Sequence, residues 1–240
     1  MLRWSAWAPG LETAGQWSAW AQGSGAMTAA DSAPAVDFVP PMLRRRLSDL
    51  SKAALWTAYR CAGLPGPDAH RGRTIFASPH GEIHRTITLL DDLARGEPLS
   101  PNAFSLSVHN TASGLYAIAA GQRAPSTALA AGADTLEMAV IEALGALRHS
   151  GEKTAMVVFA DEPLPEFYRP WDEPGAARFA LALLLGAPES GPAWQLSRGA
   201  GEPGRERAEP HGLGVLRLLA GDAKALTVPG ARASWRWERL

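Results

Sequence analysis

Cysteine, long apolar runs and net charge are all scarce in this sequence of 240 residues. Cys61 is the single cysteine, so no internal disulfide can form and a cytoplasmic location is the default expectation. The strongest apolar run, Phe179 to Ala187, is far too short to span a bilayer, which predicts no transmembrane segment. The opening stretch MLRWSAWAPGLETAG has no basic region leading into a sustained apolar core, which argues against a signal peptide. A formal net charge of −1 supplies no global field for nucleic acid or an anionic membrane. No Walker loop is present and no GxGxxG opens a helix, so nothing points to a nucleotide cofactor.

The composition that remains is an ordinary globular one, 46% hydrophobic and 20% charged, enough for one large or two small domains. Tryptophan is abundant: nine occur, clustered towards the two ends at Trp4, Trp7, Trp17, Trp20, Trp235 and Trp237. MLRWSAWAPG predicts a first strand, and the Gly/Ala/Ser-rich GQWSAWAQGSGAMTAADSAPA a loop. Leu43, Leu47, Leu50, Ala54 and Ala58 share a helical face, predicting a helix from Leu43 to Arg60 stopped by Gly63 and Pro65. Residues 73–78 read as a strand and Ile83 to Arg95 as a helix ended by Gly96. SPNAFSLSVHN reads as extended, and TASGLYAIAAG as a helix ending at Gly121. TAMVVFAD, RFALALLLG and AWQLSRG read as strands, separated by the Pro-rich surface loop EPLPEFYRPWDEPG and followed by the polar loop GAGEPGRERAEPHG. LGVLRLLAG reads as a short helix, and ARASWRWERL as an edge strand with one apolar face. The alternation of strands and helices predicts an α/β fold.

The stretch STALAAGADTLEMAVIEALGAL, residues 126–147, reads as a strand over Ala128 to Ala131, a bend at Gly132 and Ala133, and a long helix. Asp134 followed by Glu137 fits a capping box. Apolar residues run around nearly the whole helix, predicting a buried central helix between two sheets or between a sheet and a partner. Many enzymes place a nucleophile at such a bend. Here the bend carries Gly132, which has no side chain.

The polar motifs each admit a plain reading. HGEIH sets His80 and His84 four apart, but Glu82 is not where a zinc-peptidase motif needs it and no third ligand follows, so no metal is expected. SVHN brings Ser107 and His109 onto one face of an extended segment, and Asn110 reads as the cap of the next helix. A serine hydrolase would need an activating bend and an orienting acid, and no GxSxG occurs. Arg44, Arg45 and Arg46 form a basic cluster that reads either as a solvated face or as a docking patch for an acidic carrier protein. Cys61, at a helix end, reads as a buried structural thiol.

FASPHGEIHRTITLLDDLARGEPLSPNAFSLSVHNTASGLYAIAAG, followed by the elbow, resembles the short β-ketoacyl-synthase-like N-terminal-domain family, which includes chain-length-factor-like subunits of aryl polyene and xanthomonadin-type pigment systems. The resemblance is best over residues 30–165, with residues 166–240 as a divergent C-terminal part of one domain spanning 1–240. It implies a half-size thiolase-like layered α/β fold with a mixed sheet. In an active relative the elbow would read Ala-Cys-Ala-Ser-Ser-Leu; here it reads Ala131-Gly132-Ala133-Asp134-Thr135-Leu136, with Gly132 at the nucleophile position. The glutamine usual in aromatic-polyketide chain length factors is absent too. The half of the condensing fold that supplies two further basic residues has no room, and His211 is the only late histidine. The resemblance therefore implies no catalytic residue and no cofactor. Its implied partners are a full-length β-ketoacyl-ACP synthase, in a heterodimer, and an acyl carrier protein bearing an acyl or polyenyl chain. Ala128, Leu129, Ala131, Gly132, Asp134, Phe104, Leu106 and Met138 are the implied interface or tunnel residues. Two alternatives stand beside this reading: a homodimeric acyl-chain binding module, and an esterase or thioesterase using Ser107 or Ser113 with His109.

Overall fold

The computed structural model describes residues 1–28, 32–187, 192–200 and 209–240, with only the backbone of His211. The chain runs β1 (Arg3–Trp7), α1 (Ala14–Ala21), α2 (Pro41–Arg44), α3 (Asp49–Ala62), β2 (Thr74–Ala77), α4 (Ile83–Ala94), α5 (Pro101–Ser105), α6 (Thr111–Ala120), β3 (Ser126–Leu129), α7 (Thr135–His149), β4 (Thr154–Asp161), β5 (Phe179–Gly186), β6 (Trp194–Gly199), α8 (His211–Ala220), β7 (Ala225–Pro229) and β8 (Ser234–Arg239).

A five-stranded sheet in the order β1-β5-β4-β2-β3 is mixed: β2 runs parallel to β3 and β4, while β5 is antiparallel to β4 and β1. Its central strands β4 and β5 are apolar without alternation because both faces are covered. On one face Met156, Val158, Ala182 and Leu184 pack on α3 and α6. On the other, Ala155, Val157, Leu181 and Leu183 pack with residues of α7 and α8. The same cluster includes Trp235 and Trp237 from a second, antiparallel sheet in the order β6-β8-β7. The layers are therefore helices, sheet, helices, sheet, with α7 between the two sheets. The two ends of the chain meet in this core, Trp17 and Trp20 from one and Trp235 and Trp237 from the other.

Several elements differ from the sequence expectations, each for a physical reason. GQWSAWA is helix α1 rather than loop: Thr13 and Gln16 form a capping box, and Trp17 and Trp20 anchor one side in the core. The helix expected from Leu43 to Arg60 is divided, because Ser48 caps a new helix by accepting from the Ser51 N–H at 3.0 Å. Arg44 ends α2, and Arg45 and Arg46 lie in the break. SPNAFSLSVHN is α5 followed by turns, started by Pro101 and by a Ser100 cap. The strand before the elbow is Ser126–Leu129, two residues earlier than Ala128 to Ala131. ARASWRWERL contains the central strand of its sheet rather than an edge, since β7 pairs with it on the far side. Helix α7 is not buried all round: Met138, Ile141 and Leu144 are exposed. Most of the expected polar loop GAGEPGRERAEPHG, residues 201–208, lies outside the described residues.

Candidate functional site

The site is built at the end of β3. Gly132 turns the chain with φ +53, in the left-handed region that favours glycine, and opens a short 3-10 turn over Gly132–Asp134. Thr135 locks the bend: its hydroxyl donates to the Gly132 carbonyl at 2.7 Å and accepts from the Ala131 N–H at 2.9 Å. A Cβ placed on Gly132 would meet no atom within 4 Å. The elbow thus keeps its shape and keeps open space where a side chain would stand.

The expected capping box at this helix start does not form. Asp134 accepts instead from the Ala231 N–H and the Trp235 indole, both at 3.0 Å, and its side chain makes no cap. Glu137 accepts from the Trp237 indole at 2.9 Å. Both carboxylates are drawn to the second sheet, where buried indole N–H groups need acceptors.

In front of Gly132 lies a cavity of about 160 Å³, walled by His80, Ala133, Thr135, Leu136, Phe159 and Trp171 and by the carboxylates of Asp161, Glu162, Asp172 and Glu173. Burial, reinforced by the neighbouring carboxylates, pushes Asp161 up to about 8, against a hydrogen bond from the Glu162 N–H. Burial also raises Glu162, opposed by Arg178, whose Nε donates to its Oε2 at 2.8 Å. Burial holds the His80 imidazole below its ordinary value, against the pull of Asp172 and Glu173. Among the described lining residues none presents a thiol, and the one hydroxyl, that of Thr135, is engaged on both sides. The acidic walls were not singled out in the sequence. Their signal was the density of Asp and Glu just beyond the C-terminal end of β4, the end at which open α/β sheets place their sites.

The motif residues form a structural joint instead of a catalytic set. Glu82 is buried and accepts from Ser48 Oγ at 2.8 Å, Ser51 Oγ at 2.6 Å and Arg85 Nε at 2.9 Å, tying α3 to α4. Gly81, with φ +57, passes under the His109 ring, where a Cβ would stand 2.8 Å from Cδ2. His109 Nε2 lies 2.9 Å from the Ser78 carbonyl. Ser107 Oγ donates to the Phe104 carbonyl, so Ser107 and His109, which share a face in an extended segment, make no pair here. Asn110 precedes α6 but contributes no side-chain cap. His84 Nε2 lies 2.8 Å from the Pro163 carbonyl, and no cluster fit for a metal ion occurs among the described residues. Arg44 is held by Asp37 at 2.7 Å and by the Val39 carbonyl, leaving Arg45 and Arg46 as the exposed members of the basic cluster. Cys61 is buried in the core, as expected for a structural thiol.

The residues expected at an interface divide. β3 is an edge strand, paired only with β2 among the described residues, so Ala128 and Leu129 sit on an open ladder. Phe104 is 64% exposed, and Met138 is exposed on α7. Ile118 joins them as an exposed apolar side chain, 68% accessible. Leu106 does not belong to this set: it is 7% exposed and packs in the α3–α6 core.

The family described as β-ketoacyl synthase, N-terminal domain, matches residues 17–238. The chain belongs to that family. The family match runs through the C-terminal sheet as well as the elbow. Among solved structures, this β-ketoacyl synthase N-terminal-domain protein is similar to a chain of the ketosynthase ApeO in complex with its chain length factor ApeC from Xenorhabdus doucetiae. That likeness has 28% identity and a TM-score of 0.84, covering 99% of this chain and 97% of that one. It shares its fold with the ishigamide ketosynthase/chain length factor, at 16% identity and TM-score 0.63, over 81% of this chain and 66% of that one. It shares it also with AntDE:AntF, a type II polyketide acyl carrier protein in complex with its ketosynthase, at 12% identity and TM-score 0.60, over 83% of this chain and 69% of that one. Among curated proteins none matches. The fold is thus thiolase-like, with the mixed sheet and the central helix layer expected of it. No helix among the described residues is long and apolar enough to cross a membrane.

Proposed function

We propose that this chain is the chain-length-factor-like partner of a full-length β-ketoacyl-ACP synthase. In this reading residues 1–240 act as one domain, do no chemistry themselves, and shape the tunnel that receives an acyl or polyenyl chain in an aryl polyene-type system. The observation that carries it is Gly132, which holds the elbow geometry of a nucleophile with no group to react. The likeness to a chain of the ApeO–ApeC complex supports the partner assignment. The open edge of β3, with Ala128 and Leu129, and the exposed Phe104, Ile118 and Met138 make up the surface such a partner would cover. Ala131, Gly132 and the cavity before them would then lie at the joint, where side-chain volume limits how far a chain extends. Arg45 and Arg46 are the residues of the basic cluster free to meet an acidic carrier protein. The assembly works in the cytoplasm.

The test is co-expression of the tagged chain with the ketosynthase encoded nearest to it, followed by size-exclusion chromatography with mass determination. A one-to-one complex is the expected result. A stable homodimer that ignores the ketosynthase overturns it in favour of an acyl-binding module. Ester turnover abolished by Ser107→Ala overturns it in favour of a hydrolase, an outcome the Ser107–Phe104 carbonyl bond disfavours.

A further inference from the structure

Helix α7 has a cavity at each end. The one before Gly132 meets its first turn; a larger one, of about 620 Å³, meets its last turns. The helix is 15 residues long, so the two lie about 20 Å apart. The larger cavity is a separate feature from the elbow and from the β3 edge.

Its walls are hydrocarbon and indole. Val140, Leu144 and Leu147 come from α7, Leu185 from β5, Leu196 from β6 and Trp237 from β8. The size falls within the range of small-molecule pockets, about 300–1,000 Å³. Leaving such a surface against water is unfavourable by about 25 cal/mol per Å². Cations stand beside these walls. Arg148 and Lys153 line the cavity, both are exposed, and neither has an ion-pair partner among the described residues. Glu152 also lines it, but its Oε1 is neutralised by Arg73 Nε at 2.9 Å. The side chains on the polar side of the cavity are therefore net positive.

We infer that this cavity binds an amphiphile with an extended hydrocarbon body and a carboxylate head, the body against α7 and the two sheets and the head at Arg148 and Lys153. Hydrocarbon walls beside two cations that no described residue neutralises match that chemistry. A neutral apolar molecule would leave the cations unused, and a polyanion would waste the walls. The inference does not depend on the partner reading, since none of these residues belongs to the β3 surface.

The probe is cis-parinaric acid, a polyene fatty acid that accepts excitation energy from tryptophan; Trp194 and Trp237 line the cavity. The full-length protein is titrated, alone or as a complex with its ketosynthase, and energy transfer is read. Saturable transfer is expected, with the methyl ester binding about tenfold more weakly. Arg148→Glu combined with Lys153→Glu should raise Kd by about tenfold or more, and Leu144→Trp should abolish saturable transfer by filling the space. Arg95→Glu, an exposed charge change at the far end of α4, should leave Kd unchanged. Because the wild-type comparison of acid with ester needs no variant, a misfolded substitution does not decide the outcome. Absence of saturable transfer overturns the inference. So does transfer that is equal for acid and ester, or that survives both Leu144→Trp and the double charge reversal. In a complex, sites on the ketosynthase are common to every variant, so differences between variants report this cavity.

Discussion

The indole N–H of Trp237 donates to Oε1 of Glu137 across 2.9 Å, joining the middle of the second sheet to the first turn of α7. The neighbouring pair repeats the link, Trp235 to Asp134 at 3.0 Å. Residues two apart on β8 thus meet residues three apart at the start of α7, Asp134 just before the helix and Glu137 in its first turn. Glu137 is fully buried, so Glu137→Ala strands an indole N–H in the core. We expect a loss of about 1–3 kcal/mol, read as a lower denaturant midpoint with little change in slope. Glu137→Gln keeps an acceptor and should lose less.

Gly132→Cys should fold, at a cost of about 1–2 kcal/mol for a side chain in the left-handed region, because its Cβ enters open space. The new thiol should react with iodoacetamide. Cys61 in the unaltered protein should resist, its thiol buried and pushed up to about 12. Mass spectrometry of the alkylated protein separates the two. The variant is expected to carry out no condensation, since a thiol alone does not restore the two further basic residues that the family resemblance implies for an active relative.

Asp161 ties stability to pH. Its folded value is raised, from 3.8 to about 8, so the folded state holds a proton that the unfolded state has released across that interval. Stability should therefore fall as pH rises from about 4 to about 8. Asp161→Asn keeps an oxygen to accept from the Glu162 N–H and removes the titration. The variant should gain on the wild type as pH rises through that window and match it most closely at the acid end. Thermal midpoints measured across the window check the sign.

Phe104→Glu and Ile118→Glu place charges on an exposed apolar surface. Neither side chain is buried in the free chain, so the thermal midpoint should hardly move. Capture of the ketosynthase should weaken by about tenfold or more. Pull-down at graded ketosynthase concentrations gives the measurement.

Much of the fold was legible in the sequence because it is written locally. Gly63 and Gly121 end their helices in the left-handed conformation, and β4 and β5 announce themselves as unbroken apolar runs. What stayed hidden depends on partners distant in the chain. Asp134 and Glu137 have the spacing of a local cap, yet the indoles that claim them lie about a hundred residues away, beyond the reach of a pattern argument. Met138, Ile141 and Leu144 read as core because hydropathy alone does not tell a buried face from one left open. At the site, Gly132 was identified from its resemblance to a nucleophile elbow. The acidic walls were not, since Asp172 and Glu173 reach the cavity through the fold of a loop. The residue types of SVHN suit an extended segment with Ser107 and His109 on one face, but the chain turns there and each finds a backbone carbonyl.

Among the described residues the outer edge of β3 is unpaired, and this bears on how cells would have to make the proposed assembly. A row of free backbone donors and acceptors will accept any extended segment that arrives first, including the same strand of a second copy. In the proposed complex the chain's fate would become a question of supply: synthesis in step with the partner would keep the rim occupied, while surplus chain would compete with itself and be lost to aggregation or proteolysis. Dosage, as much as sequence, would govern how much of it persists.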